Sequence, residues 1–89
     1  MHHGARRASR RYPLSADVEV LEPRSATGFA INASAGGIRI AIDEALAIGD
    51  LVVLRVKTES RQMVEHGRVV WVSERPDGAL IGIEFVSVS

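Results

Sequence analysis

Two short segments of this 89-residue chain carry side chains suited to chemistry. Arg6-Arg7-Ala8-Ser9-Arg10-Arg11 places four arginines within six residues, ahead of any strand pattern. Arginine offers five donors in a planar fork, matched to phosphate oxygens and to the O6/N7 edge of guanine. Asn32-Ala33-Ser34-Ala35-Gly36-Gly37 has the form N-x-S-x-x-G at a strand end. Asparagine and serine bond base edges or phosphates, and glycine permits a positive φ and leaves room for a ligand against the backbone. By itself the first segment reads as a solvated basic tail, able to touch nucleic acid non-specifically. By itself the second reads as an Asx- or Ser-turn satisfied by its own backbone. Together, guanidinium forks facing a small hydrogen-bonding turn suit a ligand carrying both phosphate and guanine.

The elements that must position these residues have period two almost throughout. Asp17-Val18-Glu19-Val20 alternates as a half-buried strand does, and Pro23-Arg24-Ser25 reads as a turn. Thr27 to Asn32 forms a second strand ending in the polar turn. Ile38, Ile40 and Ile42 share one face of a third, with Arg39 and Ala41 on the other. Asp43 to Asp50 is a connector whose Ala45, Leu46 and Ile48 are expected to cover one mouth of the fold. Leu51 to Lys57 is a fourth strand, and a turn at Glu59-Ser60-Arg61 leads to a fifth, Met63 to Ser73. Gly67 in its middle predicts a bulge. Arg75-Pro76-Asp77-Gly78 is a hairpin turn, with aspartate and glycine where positive φ is needed. Ala79 to Val86 is the sixth strand, with Ile81, Ile83 and Phe85 on one face. No stretch sustains a 3.6-residue period, so the chain is all-β, a small antiparallel barrel or sandwich.

Composition narrows the function classes. The chain makes one small domain, and its 46% apolar content is ample for one core. With no cysteine there is neither a disulfide framework nor a thiolate metal site. No apolar run reaches the length of a membrane span or of a signal-peptide core, which predicts a cytoplasmic protein. The formal charge of zero hides an asymmetry: the first 16 residues hold four arginines and no acid. The rest holds 7 basic residues against all 11 acids, a net of −4. A basic arm on a mildly acidic body fits an anionic ligand better than a surface built to coat nucleic acid.

The two segments, in this order and frame, resemble the signatures of PilZ domains. Arg7-Ala8-Ser9-Arg10-Arg11 followed by Tyr12-Pro13-Leu14 resembles their R-x-x-x-R motif. Asn32 to Gly37 resembles their (D/N)-x-S-x-x-G motif, and a first strand lies between the two. Gly67-Arg68-Val69-Val70-Trp71-Val72 and Ile81-Gly82-Ile83-Glu84-Phe85 look like the family's two late strands. The resemblance implies a six-stranded antiparallel β-barrel that binds the bacterial second messenger cyclic di-GMP. It divides the chain into a basic arm, residues 1–14, and a barrel, residues 15–89. Arg7 and Arg11 match the paired arginines that grip a guanine Hoogsteen edge and the phosphates, although Arg6 with Arg10 gives an alternative register. Asn32 and Ser34 match the positions that contact a guanine across the pocket, and Gly37, beside Gly36, matches the turn glycine. Arg6 matches an often basic position that touches a second ligand molecule in members binding a stacked pair. Supplying the arginines from a tail predicts an arm that is mobile when free and wraps over the barrel on binding, a change expected to signal to a protein partner. Many family members continue into a C-terminal helix, whereas little or none is expected here.

Other residues carry weaker signals. Trp71, the only tryptophan, is expected in the core, with stacking on a purine the alternative. Arg39 points away from Ile38 and Ile40, towards either a phosphate or plain solvent. His66 has no second ligand type at metal spacing and reads as a surface histidine. Ser34 has no histidine placed to activate it, and no catalytic signature is evident, so an enzyme is not expected. A protein-interaction barrel without nucleotide binding is the alternative, disfavoured by the intact motifs. A single-strand nucleic-acid binder ranks last, because few aromatics are present to form stacking platforms.

Overall fold

The alternating pattern becomes seven antiparallel strands in the computed structural model, which describes residues 11–87. They are β1 (Tyr12–Pro13), β2 (Asp17–Glu22), β3 (Ala26–Ser34), β4 (Gly37–Ile42), β5 (Leu51–Lys57), β6 (Gln62–Arg75) and β7 (Gly78–Phe85). Pairing runs β1-β3-β2-β5-β6-β7-β4, and β4 returns to β3. Strands β2 to β7 thus close a six-stranded barrel, and β1 adds a short extra strand. Closure satisfies backbone groups that an open sheet edge would leave unpaired. β1 lies along the same edge of β3 as β2, with Tyr12 opposite Ala33 and Pro13 opposite Asn32. The described residues contain no helix.

The lumen is filled by one face of every barrel strand. Val20, Ile38, Ile40, Leu54, Val56, Val69 and Ile81 are among its fully buried side chains. Burying each contributes about 1.5–3 kcal/mol relative to exposure. β3 lines the lumen with Ala26, Ala30 and Ala33 instead, small residues that make room for the isoleucines of β4. In the connector Leu46 alone reaches the core, while Ala45 and Ile48 stay exposed, so the mouth is covered by less than the pattern predicts. Asp43 pins the start of that connector, its carboxylate accepting from the Thr27 backbone N–H at 2.9 Å and from the Thr27 hydroxyl at 3.3 Å.

The turn between β6 and β7 forms at Pro76-Asp77 as expected, but only Gly78 has a positive φ, of 150°. A Cβ there would also run into the carbonyl oxygen of Ile42. Gly67 is not bulged. It pairs regularly with Val52 and Phe85, and it is glycine because a Cβ would meet the Ile83 side chain and, at 2.8 Å, the Glu84 carbonyl oxygen. The irregularity in β6 falls three residues later, where Val70 has no partner in β7. β3 has a matching one, where Ile31 has no partner in β4.

Candidate functional site

Those two unpaired residues decide what the outer wall carries. In a strand, successive side chains alternate between faces, and one extra residue reverses the alternation beyond it. Ala30 points inward opposite Ile40. Were Ile31 paired regularly, strict alternation would carry Asn32 and Ser34 into the lumen with Ala30. With the slip, Ala33 turns inward opposite Ile38, and Asn32 and Ser34 both face out, opposite Arg39 and Gly37. Val70 does the same for β6. Val69 is inside opposite Ile83, and the slip sends Trp71 outward opposite Gly82, leaving it 43% exposed. The tryptophan is therefore a wall residue, not the core residue its chemistry suggests. The reversed stretches of β3 and β6 lie on either side of β4 and β7, so Asn32, Arg39, Gly82 and Trp71 form one row across four strands.

Arg11 enters this row from β1. Its Nε donates to Asn32 Oδ1 at 2.6 Å, and its Nη1 makes a long contact of 3.5 Å to Ser34 Oγ. The pairing of Tyr12 with Ala33 places the arginine there, because it fixes the preceding residue beside the end of β3. Ser34 is 4% exposed, and its Oγ also accepts the Gly36 backbone N–H at 3.2 Å. The hydroxyl thus ties the hairpin turn to the arginine. Arg39 lies over the Trp71 ring, 5.5 Å from its centroid, a cation–π arrangement. Gly82 makes room for the indole, since a Cβ would come within 3.3 Å of Trp71 Cβ.

These groups border an open groove of about 510 Å³ lined by Arg11, Ser34, Gly36, Gly37, Arg39, Val70, Trp71, Gly82, Ile83 and Glu84. It lies on the barrel wall, not in the lumen. A larger hollow of about 1050 Å³ opens where β1 meets β2, facing the β5–β6 hairpin. Its polar residues, among them Lys57, Glu59 and Arg61, show no comparable convergence of hydrogen bonds on one point. The groove is the site that chemistry favours: two guanidinium groups, a hydroxyl and an aromatic face line it, and the Asn32 amide holds Arg11 at its edge.

Of the residues singled out in the sequence, Arg11, Asn32, Ser34, Gly36, Gly37 and Arg39 are brought together. Arg6, Arg7 and Arg10 lie outside the described residues. Asn32 and Ser34 belong to β3, and the turn itself is only Ala35-Gly36. Gly37 does not adopt a positive φ. It is glycine because β7 passes so close that a Cβ would strike the Ile83 carbonyl oxygen. The sequence reading missed Glu84 and Val70, and it misplaced Trp71. Glu84 was legible, because Ile81 and Ile83 point inward and alternation puts Gly82 and Glu84 outside. No group of three potential metal ligands occurs among the described residues, and none of their helices could cross a membrane, there being none.

The architecture is that of a small antiparallel β-barrel domain with a polar groove on its wall. The family model of the PilZ domain matches residues 5–89. The chain belongs to the PilZ domain family, a family of cyclic di-GMP receptor-type domains. Among solved structures it is similar to the inhibitor of motility MotI/DgrA of Bacillus subtilis, with a TM-score of 0.73 and 23% identity. That match covers 94% of this chain and 44% of the other, so the chain spans less than half the length of that neighbour. A search of curated proteins gave no match.

Proposed function

We propose that this domain is a cyclic di-GMP receptor that is not an enzyme, acts in the cytoplasm and reports its bound state to a protein partner. The observation that carries this reading is the bond from Arg11 to Asn32, which joins two motifs 21 residues apart at the edge of one groove. Arg11 keeps donors beyond the one given to Asn32, and an anion is the partner they suit best. Arg11 and Arg7 engage a guanine Hoogsteen edge and the phosphates, with Arg6 and Arg10 as further cationic contacts from the arm. Asn32 and Ser34 meet the guanine across the groove, and Gly36 and Gly37 let the ligand approach the backbone. Arg39 and Trp71 offer a stacked cation and indole to a second base or a second ligand molecule. Nucleic acid is a poor alternative ligand, because the barrel body is net acidic.

Ordering the arm on the ligand is the conformational change that a partner would sense. The exposed Ile48 and Leu51 flank β6, where the backbone bond from Gly49 N–H to Val69 O brings the connector beside Val70 at the groove. That apolar strip supports a protein partner reading groove and strip together. A calorimetric titration with cyclic di-GMP, with GTP as control and Arg11→Ala beside the wild type, tests the reading. Selective binding lost in the variant is expected, and its stoichiometry distinguishes one ligand from a stacked pair. Absence of binding by folded wild-type protein would transfer the assignment to a protein-interaction module without nucleotide binding.

A further inference from the structure

Glu84 is a carboxylate in a groove that otherwise gathers cations. It follows the buried Ile83 on β7, faces outward between Gly37 and Arg68, and lines the groove with Arg11, Ser34 and Arg39. A carboxylate near a phosphate is repelled, so the residue weakens any site that recognises phosphate alone. It is not taken up by an ion pair among the described residues, where the salt bridges join Arg24 to Glu44 and Arg55 to Glu19. An ionised carboxylate only accepts hydrogen bonds. Its favourable use in the groove is therefore to receive donors from the ligand. In a guanine nucleotide the base presents two adjacent ones, N1–H and the N2 amine on the Watson–Crick edge. Adenine presents an acceptor, N1, at the matching place, which a carboxylate repels.

We propose that Glu84 is a specificity-determining residue that reads the Watson–Crick edge of a bound guanine. This assignment rests on reading the groove as a cyclic di-GMP site. The division of labour follows from charge: guanidinium groups take the phosphates and the O6/N7 edge, and the one carboxylate lining the groove takes the donor edge. Rejection of an unmatched base then comes from an exposed acceptor that the ligand covers and leaves without a partner.

The test titrates wild type and Glu84→Gln with cyclic di-GMP and with its inosine analogue cyclic di-IMP, which lacks the N2 amine. Wild type is expected to prefer cyclic di-GMP by about tenfold, the discrimination typical of a bidentate base contact. Glu84→Gln should weaken cyclic di-GMP binding by about tenfold and reduce the preference to about twofold. Unchanged or tighter cyclic di-GMP binding by the variant would overturn the assignment, showing the carboxylate to be a mere electrostatic burden. Equal losses for both ligands would also overturn it, placing Glu84 on the ribose or elsewhere. Failure of folded wild type to bind cyclic di-GMP overturns the underlying reading of the groove, an outcome separate from the other two.

Discussion

Two walls of the barrel hold an arginine at the same 2.6 Å distance from an oxygen, and they hold it differently. On the wall made by β2 and β5, Arg55 Nη1 donates to the Glu19 carboxylate across a regular register. On the wall that carries the groove, Arg11 Nε donates to the neutral Asn32 amide oxygen. The first arrangement neutralises its cation, whereas the second orients a cation and leaves its charge uncompensated. Arg39, over the Trp71 ring, belongs to the second kind. An arginine held by neutral partners beside a concave surface is thus a better candidate for ligand binding than one already paired with an acid, whatever their exposure.

Five substitutions would break or sharpen this contrast. The largest effect is expected from Arg11→Ala, which removes charged hydrogen bonds worth about 1.5–3 kcal/mol and so weakens cyclic di-GMP binding tenfold to a hundredfold. Arg55→Ala should leave the dissociation constant within about twofold, and equal losses in calorimetry would erase the distinction between the walls. Ser34→Ala comes next. It takes the acceptor from the Gly36 N–H and a contact from Arg11, at a cost of about 1–2 kcal/mol in chemical denaturation together with a several-fold weaker ligand. Glu19→Gln should cost only about 0.2–1 kcal/mol, because both partners are about two-fifths exposed, and binding should not change. Gly82→Ala is the smallest. Its Cβ presses on the indole, so the emission of the sole tryptophan should shift while affinity moves by about twofold or less.

Strand content was plain in the sequence wherever alternation was strict. Ile38, Ile40 and Ile42 are buried as the pattern requires, and so are Ile81 and Ile83. The polar motif was legible only in frame behind the arginine run, because alone it reads as an ordinary Asx- or Ser-turn. What could not be read were the places where alternation slips. Strict alternation back from Asn32 and Ser34 puts Phe29 and Ile31 inside and Ala30 outside. The barrel does the reverse, leaving Phe29 56% exposed and Ala30 buried. Val69-Val70-Trp71-Val72 is apolar throughout, so nothing in it marks which residue is the extra one. Gly67 attracted the bulge because glycine tolerates irregular backbone, yet its smallness serves the close passage of Ile83.

The slips at Ile31 and Val70 also bear on how such a domain tolerates change over generations. Which side chains stand on the groove wall depends on the register of β3 and β6 against β4 and β7, and only secondarily on their identities. Point mutations can therefore alter the ligand contacts one at a time while the groove keeps its place, leaving room for drift in specificity. Loss of the extra residue itself, Ile31 or Val70, would leave Ala30 beside Asn32, or Val69 beside Trp71, in unbroken alternation, so the same side chains would still face the groove. The slip is thus where the strand absorbs a change of length, so in comparing related chains a retained pairing of Asn32 with Arg39 is more informative than a retained residue at 31.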